Sequence, residues 1–310
     1  MVITTTRFIV FALAAHLLVA VAPYFAPYSP SEQHRSYPLA PPTKWQVSLS
    51  DGIRACATVP TERFGEYRHD CTANHDAARK IFLMGTDELG RDVASQFLAG
   101  ARHSLFAAEA AALLSLLIAV LAGTAGGYLG GAVDRLTLRL GDIVLALPWL
   151  YAILAVRGAL PLSVGGDTVT ILTILLLAVV GWVRPARVFR AIVASTRGQG
   201  FVLAATGFGA PPAAIIRRHL LPPIAGAALT QAALLVPKFL LAEVALSVLG
   251  VLGESAGGWG PLVAVLQRYA IVSSAWWLTL PALLIVVFFI LVHKLADAMH
   301  ASLRAVPQRG

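Results

Sequence analysis

Residues 184–223 read RPARVFRAIVASTRGQGFVLAATGFGAPPAAIIRRHLLPP, an arginine-rich stretch inside an otherwise strongly apolar chain. Six arginines fall between Arg184 and Arg218, and no acidic residue lies between Asp167 and Glu243. Long apolar runs flank the stretch on both sides. A short basic loop between two spans marks the cytoplasmic face of a membrane protein. Its interior divides into two small-residue helical pieces separated by Gly209-Ala210-Pro211-Pro212, which predicts a folded docking surface rather than a passive connector.

The composition around this stretch agrees. Hydrophobic residues make up 57% of the chain and charged residues 13%, with mean hydropathy +0.74, well outside the range of soluble domains. This predicts an all-α polytopic membrane protein. The net charge of +8 sits at span ends rather than on one exposed face, so orientation in the membrane accounts for it and no nucleic-acid partner is expected.

Working outward, the first apolar run covers Phe8 to about Phe25. It reads as an uncleaved span ending in the interfacial anchor Pro23-Tyr24-Phe25. A cleaved signal peptide is the competing reading, since Val19 to Ala22 offers small residues near a cleavage site. A polar segment from Tyr28 to Met84 follows, Pro- and Tyr-rich at its start, and holds both cysteines, Cys56 and Cys71. Neither belongs to a CxxC pair or a zinc pattern, so no metal site is expected. Facing the oxidising side they would form a disulfide worth about 3 kcal/mol in the chain-entropy model. Next, Thr86 is placed to cap a turn, and Val93, Phe97 and Leu98 predict an amphipathic helix near the interface.

Five further spans are predicted, at Leu105 to Tyr128, Leu136 to Leu160 (interrupted by Pro148-Trp149), Val169 to Val183, Ile224 to Val251 and Trp276 to Met299. Each crosses a core of about 30 Å, the third with help from its flanks. The division is a first helix at 1–27, an extracytoplasmic insert at 28–84, a five-helix core at 85–303 with a loop at 186–222, and a tail at 304–310. Six spans put both termini on the cytoplasmic side, together with the Asp134-Arg135-Arg139 turn.

Three blocks carry a family resemblance. One is Gly85-Thr86-Asp87-Glu88-Leu89-Gly90-Arg91-Asp92, with Gly100-Ala101-Arg102 and Ser104-Leu105 behind it. The second is Ala204-Ala205, then Gly209, then His219-Leu220-Leu221-Pro222. The third is Leu241-Ala242-Glu243 through Ser247-Val248-Leu249-Gly250, followed by Gly258-Trp259-Gly260. In this order they resemble the C-type inner-membrane permease of dipeptide, oligopeptide and nickel ABC importers. The resemblance covers Met84 to Leu303. It departs from the family at Leu203, where the loop triplet has a glutamate, and in the long Tyr28 to Met84 insert.

The resemblance implies the type I ABC importer permease fold and a transport subunit for peptides or similar solutes, with a nickel or other small-solute importer as the alternative. It implies a second permease subunit, one or two ATPase subunits and an extracytoplasmic solute-binding protein as partners, all at the bacterial inner membrane. Ala204, Ala205, Gly209, Pro211, His219, Leu221 and Pro222 are then the ATPase-coupling residues.

The four lysines, Lys44, Lys80, Lys238 and Lys294, lie in no GxxxxGK[ST] phosphate loop, so ATP and Mg belong to a partner, and the chain carries no cofactor and is no enzyme. HExxH is absent too. A stand-alone secondary transporter would show internal repeats, and none is visible. Within the spans Lys238 and Glu243 are costly ionisable groups, read either as lining of the translocation path or as snorkelling and structural pairs. Asp142 and Arg139 read as a local or interhelical ion pair.

Overall fold

The computed structural model describes residues 21–48, 52–61, 66–70, 80–159, 165–251, 258–268 and 273–304. Of the first predicted span, residues up to 20 lie outside these, and its end holds the short 3-10 turn Ala22–Phe25.

Two antiparallel hairpins stand in the polar segment, β1 (Trp45–Ser48) with β2 (Gly52–Ala55), and β3 (Ala57–Pro60) with β4 (Tyr67–Asp70). Their registers pair Trp45 with Ala55 and Ala57 with Asp70. These strands are the exception in an otherwise helical chain. Cys56, between the hairpins, is buried and disulfide-bonded. Cys71 lies outside the described residues.

Helix α1 runs unbroken over Val93–Leu129, 37 residues and about 55 Å at 1.5 Å per residue. This corrects the expectation of a separate interfacial helix ahead of a span at Leu105. Asp92, not Thr86, is the N-cap, accepting from the Ser95 backbone N–H at 2.7 Å and the Ser95 hydroxyl at 2.6 Å. No proline interrupts the helix. One face of α1 is a ladder of buried small residues, Gly100, Ser104, Ala108, Ala111, Ser115, Ala119, Gly123 and Gly127. Such a face lets backbones approach, which drives helix association where no hydrophobic effect operates. A Cβ at Gly123 would lie 2.7 Å from the Ala186 carbonyl oxygen, and one at Gly127 2.7 Å from that of Arg190.

The span predicted from Leu136 to Leu160 is instead two helices, α2 (Gly131–Ala146) and α3 (Trp149–Gly158), bent by 79°. Pro148 is the cause, since it drives the preceding Leu147 out of the helical region to ψ 127. Helix α4 (Gly166–Gly181) turns by 43° into α5 (Val183–Arg197), so the basic stretch begins as the continuation of an apolar helix. After it come α6 (Gly200–Gly207) and α7 (Pro212–Ile215). A π turn, Ile216–Leu220, leads into the long α8 (Leu221–Val248). Pro222 and Pro223 lack the N–H groups that would bond Arg218 and His219, and the wider π turn absorbs the missing bonds.

Beyond α8, the short α9 (Gly260–Ala264) passes through a 3-10 turn, Val265–Gln267, and folds back into the bundle. A second 3-10 turn, Trp276–Thr279, opens α10 (Leu280–Arg304). Among the described residues, Val93–Leu129 and Pro212–Val248 are each long and apolar enough to cross a membrane, the two bent pairs pass as broken spans, and Trp276–Val292 is a shorter apolar helix.

Two apolar clusters fill the bundle. One gathers Phe239, Leu240, Leu246, Trp259, Trp277 and Ile285 toward the hairpin end. The other gathers Ala119, Phe189, Val193, Val202, Ile215 and Leu220 toward the basic end.

Candidate functional site

At the basic end, α6 is anchored by one buried residue, Val202, and turns Phe201, Leu203 and Ala204 outward. Its end is a Schellman motif: Ala210 N–H donates to the Ala205 carbonyl at 3.1 Å and Gly209 N–H to that of Thr206 at 3.0 Å. The motif needs a left-handed residue, which Gly209 supplies at φ 79 with no atom within 4 Å of where a Cβ would stand. Pro211 then sits extended at ψ 148 and Pro212 starts α7. The result is a short knob whose tip, Phe208, is 93% exposed. The ring of Phe201 lies 5.6 Å from that of His219, joining the knob to the π turn at the root of α8.

Of the coupling residues named from sequence, Ala204, Ala205, Gly209 and Pro211 lie on this knob. His219, Leu221 and Pro222 lie at its root, with Pro222 exposed and Leu221 half-buried. Sequence reasoning passed over the exposed apolar side chains Phe201 and Phe208, and noted Leu203 only as a departure from the family pattern. Their signal was an aliphatic and aromatic run inside a loop otherwise read as polar.

The arginines divide by role. Arg190 donates both Nε and a terminal N–H to Asp134 at 2.5 Å each, and Arg187 pairs with Asp142. Both partners are on α2, so these two arginines strap α2 to α5. Asp142 therefore finds Arg187 rather than Arg139. The two helices approach closely there, for a Cβ on Gly141 would meet Val183 Cγ1 at 2.7 Å. Arg197 lies over the Tyr128 ring at 5.8 Å, while Arg217 and Arg218 are exposed.

Lys238 and Glu243 are not brought together. Lys238 is on the exposed side of α8 with Leu234 and Leu241. Glu243 faces inward, 3% exposed, hydrogen-bonded to the Ser104 side chain, with Oε2 lacking any partner among the described residues. Glu109, half-buried on α1, is a third ionisable group within an apolar run and was not singled out. It could have been found as the one acidic residue between Asp92 and Asp134.

At the hairpin end, residues 85–92 form a hub. Asp87 organises it, its Oδ1 accepting from Leu89 and Arg91 N–H at 2.9 and 2.8 Å and its Oδ2 from Arg91 Nε at 2.7 Å. The buried Thr86 hydroxyl donates to the Tyr37 carbonyl at 2.5 Å and accepts from Ala40 N–H at 2.7 Å. Trp277 Nε1 donates to the Thr86 carbonyl at 3.3 Å, and Arg268 pairs with Glu88 at 2.5 Å. The loop thus ties the polar segment to both later parts of the bundle. No group of His, Cys, Asp or Glu among the described residues could hold a metal.

Residues 115–304 match the family model described as "Binding-protein-dependent transport system inner membrane component". The chain is 40% identical over 228 residues, 71% of this chain and 69% of the other, to the dipeptide transport system permease protein DppC of Bacillus subtilis. It is 28% identical over 297 residues to the di/tripeptide transport system permease protein DppC of Pseudomonas aeruginosa, covering 95% of this chain and 86% of that one. Among solved structures, an inward-facing form of the MetNI methionine ABC transporter aligns at TM-score 0.49 and 15% identity, over 67% of this chain and 96% of its own.

Proposed function

This chain belongs to the family of binding-protein-dependent transport system inner membrane components, and from that premise we propose that it forms half of a path for peptides and takes its drive through the α6 knob. It is a permease subunit of an ATP-driven importer, not an enzyme, and ATP is hydrolysed in a separate subunit.

One observation carries the coupling role. The knob is small, rigidly capped and apolar at its tip, yet in this chain its tip covers nothing. A side chain as large as Phe208 gains by burial in a partner's cleft, at roughly 25 cal/mol per Å² removed from water. Because α7, the π turn and α8 run on without a break, a push on Phe208 passes through Pro211 to a long helix. Ala204, Ala205 and Gly209 keep the knob slim enough for close approach, and Pro211 fixes the angle to α7. The partners in this reading are a second permease subunit, one or two ATPase subunits holding ATP and Mg, and an extracytoplasmic binding protein.

In this orientation the knob and both termini face the cytoplasm and the hairpins face outward, following the arginine bias. Lys238, on the exposed side of α8, lines the path between the two permeases. Peptides as cargo rest on the likeness to dipeptide and di/tripeptide permeases; nickel is the second reading.

The test is purification of the complex through a C-terminal tag, paired with uptake of a radiolabelled dipeptide and of radioactive nickel. Phe208→Ser and Phe208→Glu should each lose the copurifying ATPase chain and dipeptide uptake while the permease stays in the membrane. Full uptake by both variants sinks the coupling role. Nickel uptake alone sinks the peptide assignment.

A further inference from the structure

The segment after α8 enters the bundle through three close contacts at glycines, each with no room for a side chain. A Cβ on Gly100 of α1 would lie 2.7 Å from the Gly258 carbonyl oxygen. One on Gly260 would lie 1.9 Å from Ser247 Cβ of α8, and one on Gly258 2.8 Å from both Glu243 Oε1 and Ser104 Oγ. Trp259, 2% exposed, donates its backbone N–H to Ser104 Oγ and its indole N–H to the Phe97 carbonyl, each at 3.0 Å. It stacks on Phe97 at 5.4 Å and meets Phe288 of α10 edge-on at 5.2 Å. Ser104 is the centre of this arrangement, accepting from Trp259 and donating to Glu243.

Packing alone does not call for a carboxyl group here. A buried carboxyl with one oxygen lacking a donor is costly, and an apolar side chain of similar volume would fill the site at no such cost. What the carboxyl supplies is a directional link between α8 and the Gly258–Trp259 entry through a single α1 hydroxyl. On one side of that link α8 runs back to the knob through the Phe201–His219 contact. On the other the segment runs to Arg268, which grips Glu88 of the hub. The hub in turn holds the polar segment through Thr86 and through the His34 N–H, which donates to the Gly90 carbonyl at 3.1 Å.

We propose that Glu243, acting through Ser104, is the positioning residue that makes the Gly258–Gln267 segment move with α8, so that displacement of the knob is carried to the hub. This rests on the coupling reading above.

The test uses the whole transporter in proteoliposomes, with Leu266→Cys, on the exposed part of the segment, labelled by a membrane-impermeant maleimide. Labelling is compared without nucleotide and with Mg-ATP trapped by vanadate, and ATP hydrolysis is read in the same preparation. With Glu243 intact, trapping changes the labelling rate by about fivefold or more, the low end of ordinary coupling between sites. Glu243→Leu and Ser104→Ala should abolish that change while the preparation still hydrolyses ATP. Glu243→Gln, which keeps the acceptor oxygen for Ser104, should retain it.

A nucleotide response that survives in Glu243→Leu overturns the proposal, as does a Gln variant that fails like the Leu variant. No response with Glu243 intact, despite ATP hydrolysis, overturns it too. If the parent preparation shows no ATPase at all, the coupling reading fails and takes this proposal with it. Should Glu243→Leu not assemble, Ser104→Ala against Glu243→Gln decides the matter by the same readout.

Discussion

Arg190 on α5 holds Asp134 on α2 through two parallel N–H···O bonds of 2.5 Å, across 56 residues of sequence. The pair fixes the start of α2 beside the close contact of Gly127 with the Arg190 carbonyl. Two bonds in a fork are stronger and more directional than a lysine contact. Both side chains are partly exposed, so solvent takes back much of the Coulomb gain. Asp134→Asn should therefore cost about 1 kcal/mol. Arg190→Lys should cost nearly as much, because the fork is lost. Thermal unfolding of the detergent-purified protein checks this, and a double-mutant cycle should show the two changes to be non-additive.

Gly181 offers a harsher test. It stands at the bend between α4 and α5, where a Cβ would lie 2.3 Å from Phe239 Cζ and 2.4 Å from Ser115 Oγ. Ser115 also donates to the Ala178 carbonyl at 3.1 Å, so it cannot yield freely. Gly181→Val should cost roughly 1–3 kcal/mol by overpacking. Gly226→Val, where nothing lies within 4 Å, should cost little or nothing, since Val is a slightly better helix former than Gly. Size-exclusion recovery after a temperature ramp separates the two. Equal losses would show that the small-residue ladder does not set helix spacing.

The extent to which the sequence declared this fold varies by region. The two helical pieces either side of Gly209 were legible because Gly and Pro impose backbone geometry locally. The break at Pro148 was visible as an interruption, yet its 79° bend depends on what α2 packs against, and Asp134 and Asp142 name their partners only once α5 lies beside them. The length of α1 was missed because polar residues between Val93 and Ser104 suggested an interface. Ser95 and Gln96 in fact bond Asp92 and Asp87 of the hub, His103 meets Thr170 of α4, and Ser104 accepts from Trp259, the last two far away in sequence. Glu243 read equally as path lining or as a structural group, because burial inside one's own chain and burial in a path give the same apolar flanks.

Gly209 makes a prediction about the knob that separates strain from contact. Its φ of 79 is unfavourable for any residue with a Cβ, by roughly 1–2 kcal/mol, and most so for a β-branched one. No atom stands near enough to clash. Gly209→Val should thus unwind the end of α6 without disturbing the apolar cluster around Phe189 and Leu220. Gly209→Asn, which tolerates the left-handed region, should be mild. Expected is a large loss of uptake for the Val variant, near-normal uptake for Asn, and unchanged thermal stability for both. A Val variant that transports normally would mean that the Schellman end is not required for coupling.

The polar segment predicts a pH dependence whose sign can be fixed. Burial, followed by the nearby Lys80 charge, lowers the His34 pKa below its usual 6.5, with Glu32 and Asp92 opposing. The folded state therefore binds fewer protons at His34 than the unfolded one. Its contribution to stability is complete above the unfolded value and is lost as pH falls from about 6.5 through the folded value. Asp92 works in the opposite sense: burial raises its pKa, so protonation at lower pH favours the folded form. The His34 effect sets in as pH falls through about 6.5, its unfolded value, and opposes that of Asp92. Protease resistance of the 28–92 segment, measured on the intact protein from pH 7.5 down to about 5.5, should fall, with the bundle helices still intact by circular dichroism. His34→Gln should flatten that decline. A segment that holds equally well across the range, or a Gln variant with the same slope, would show that His34 does not carry the titration.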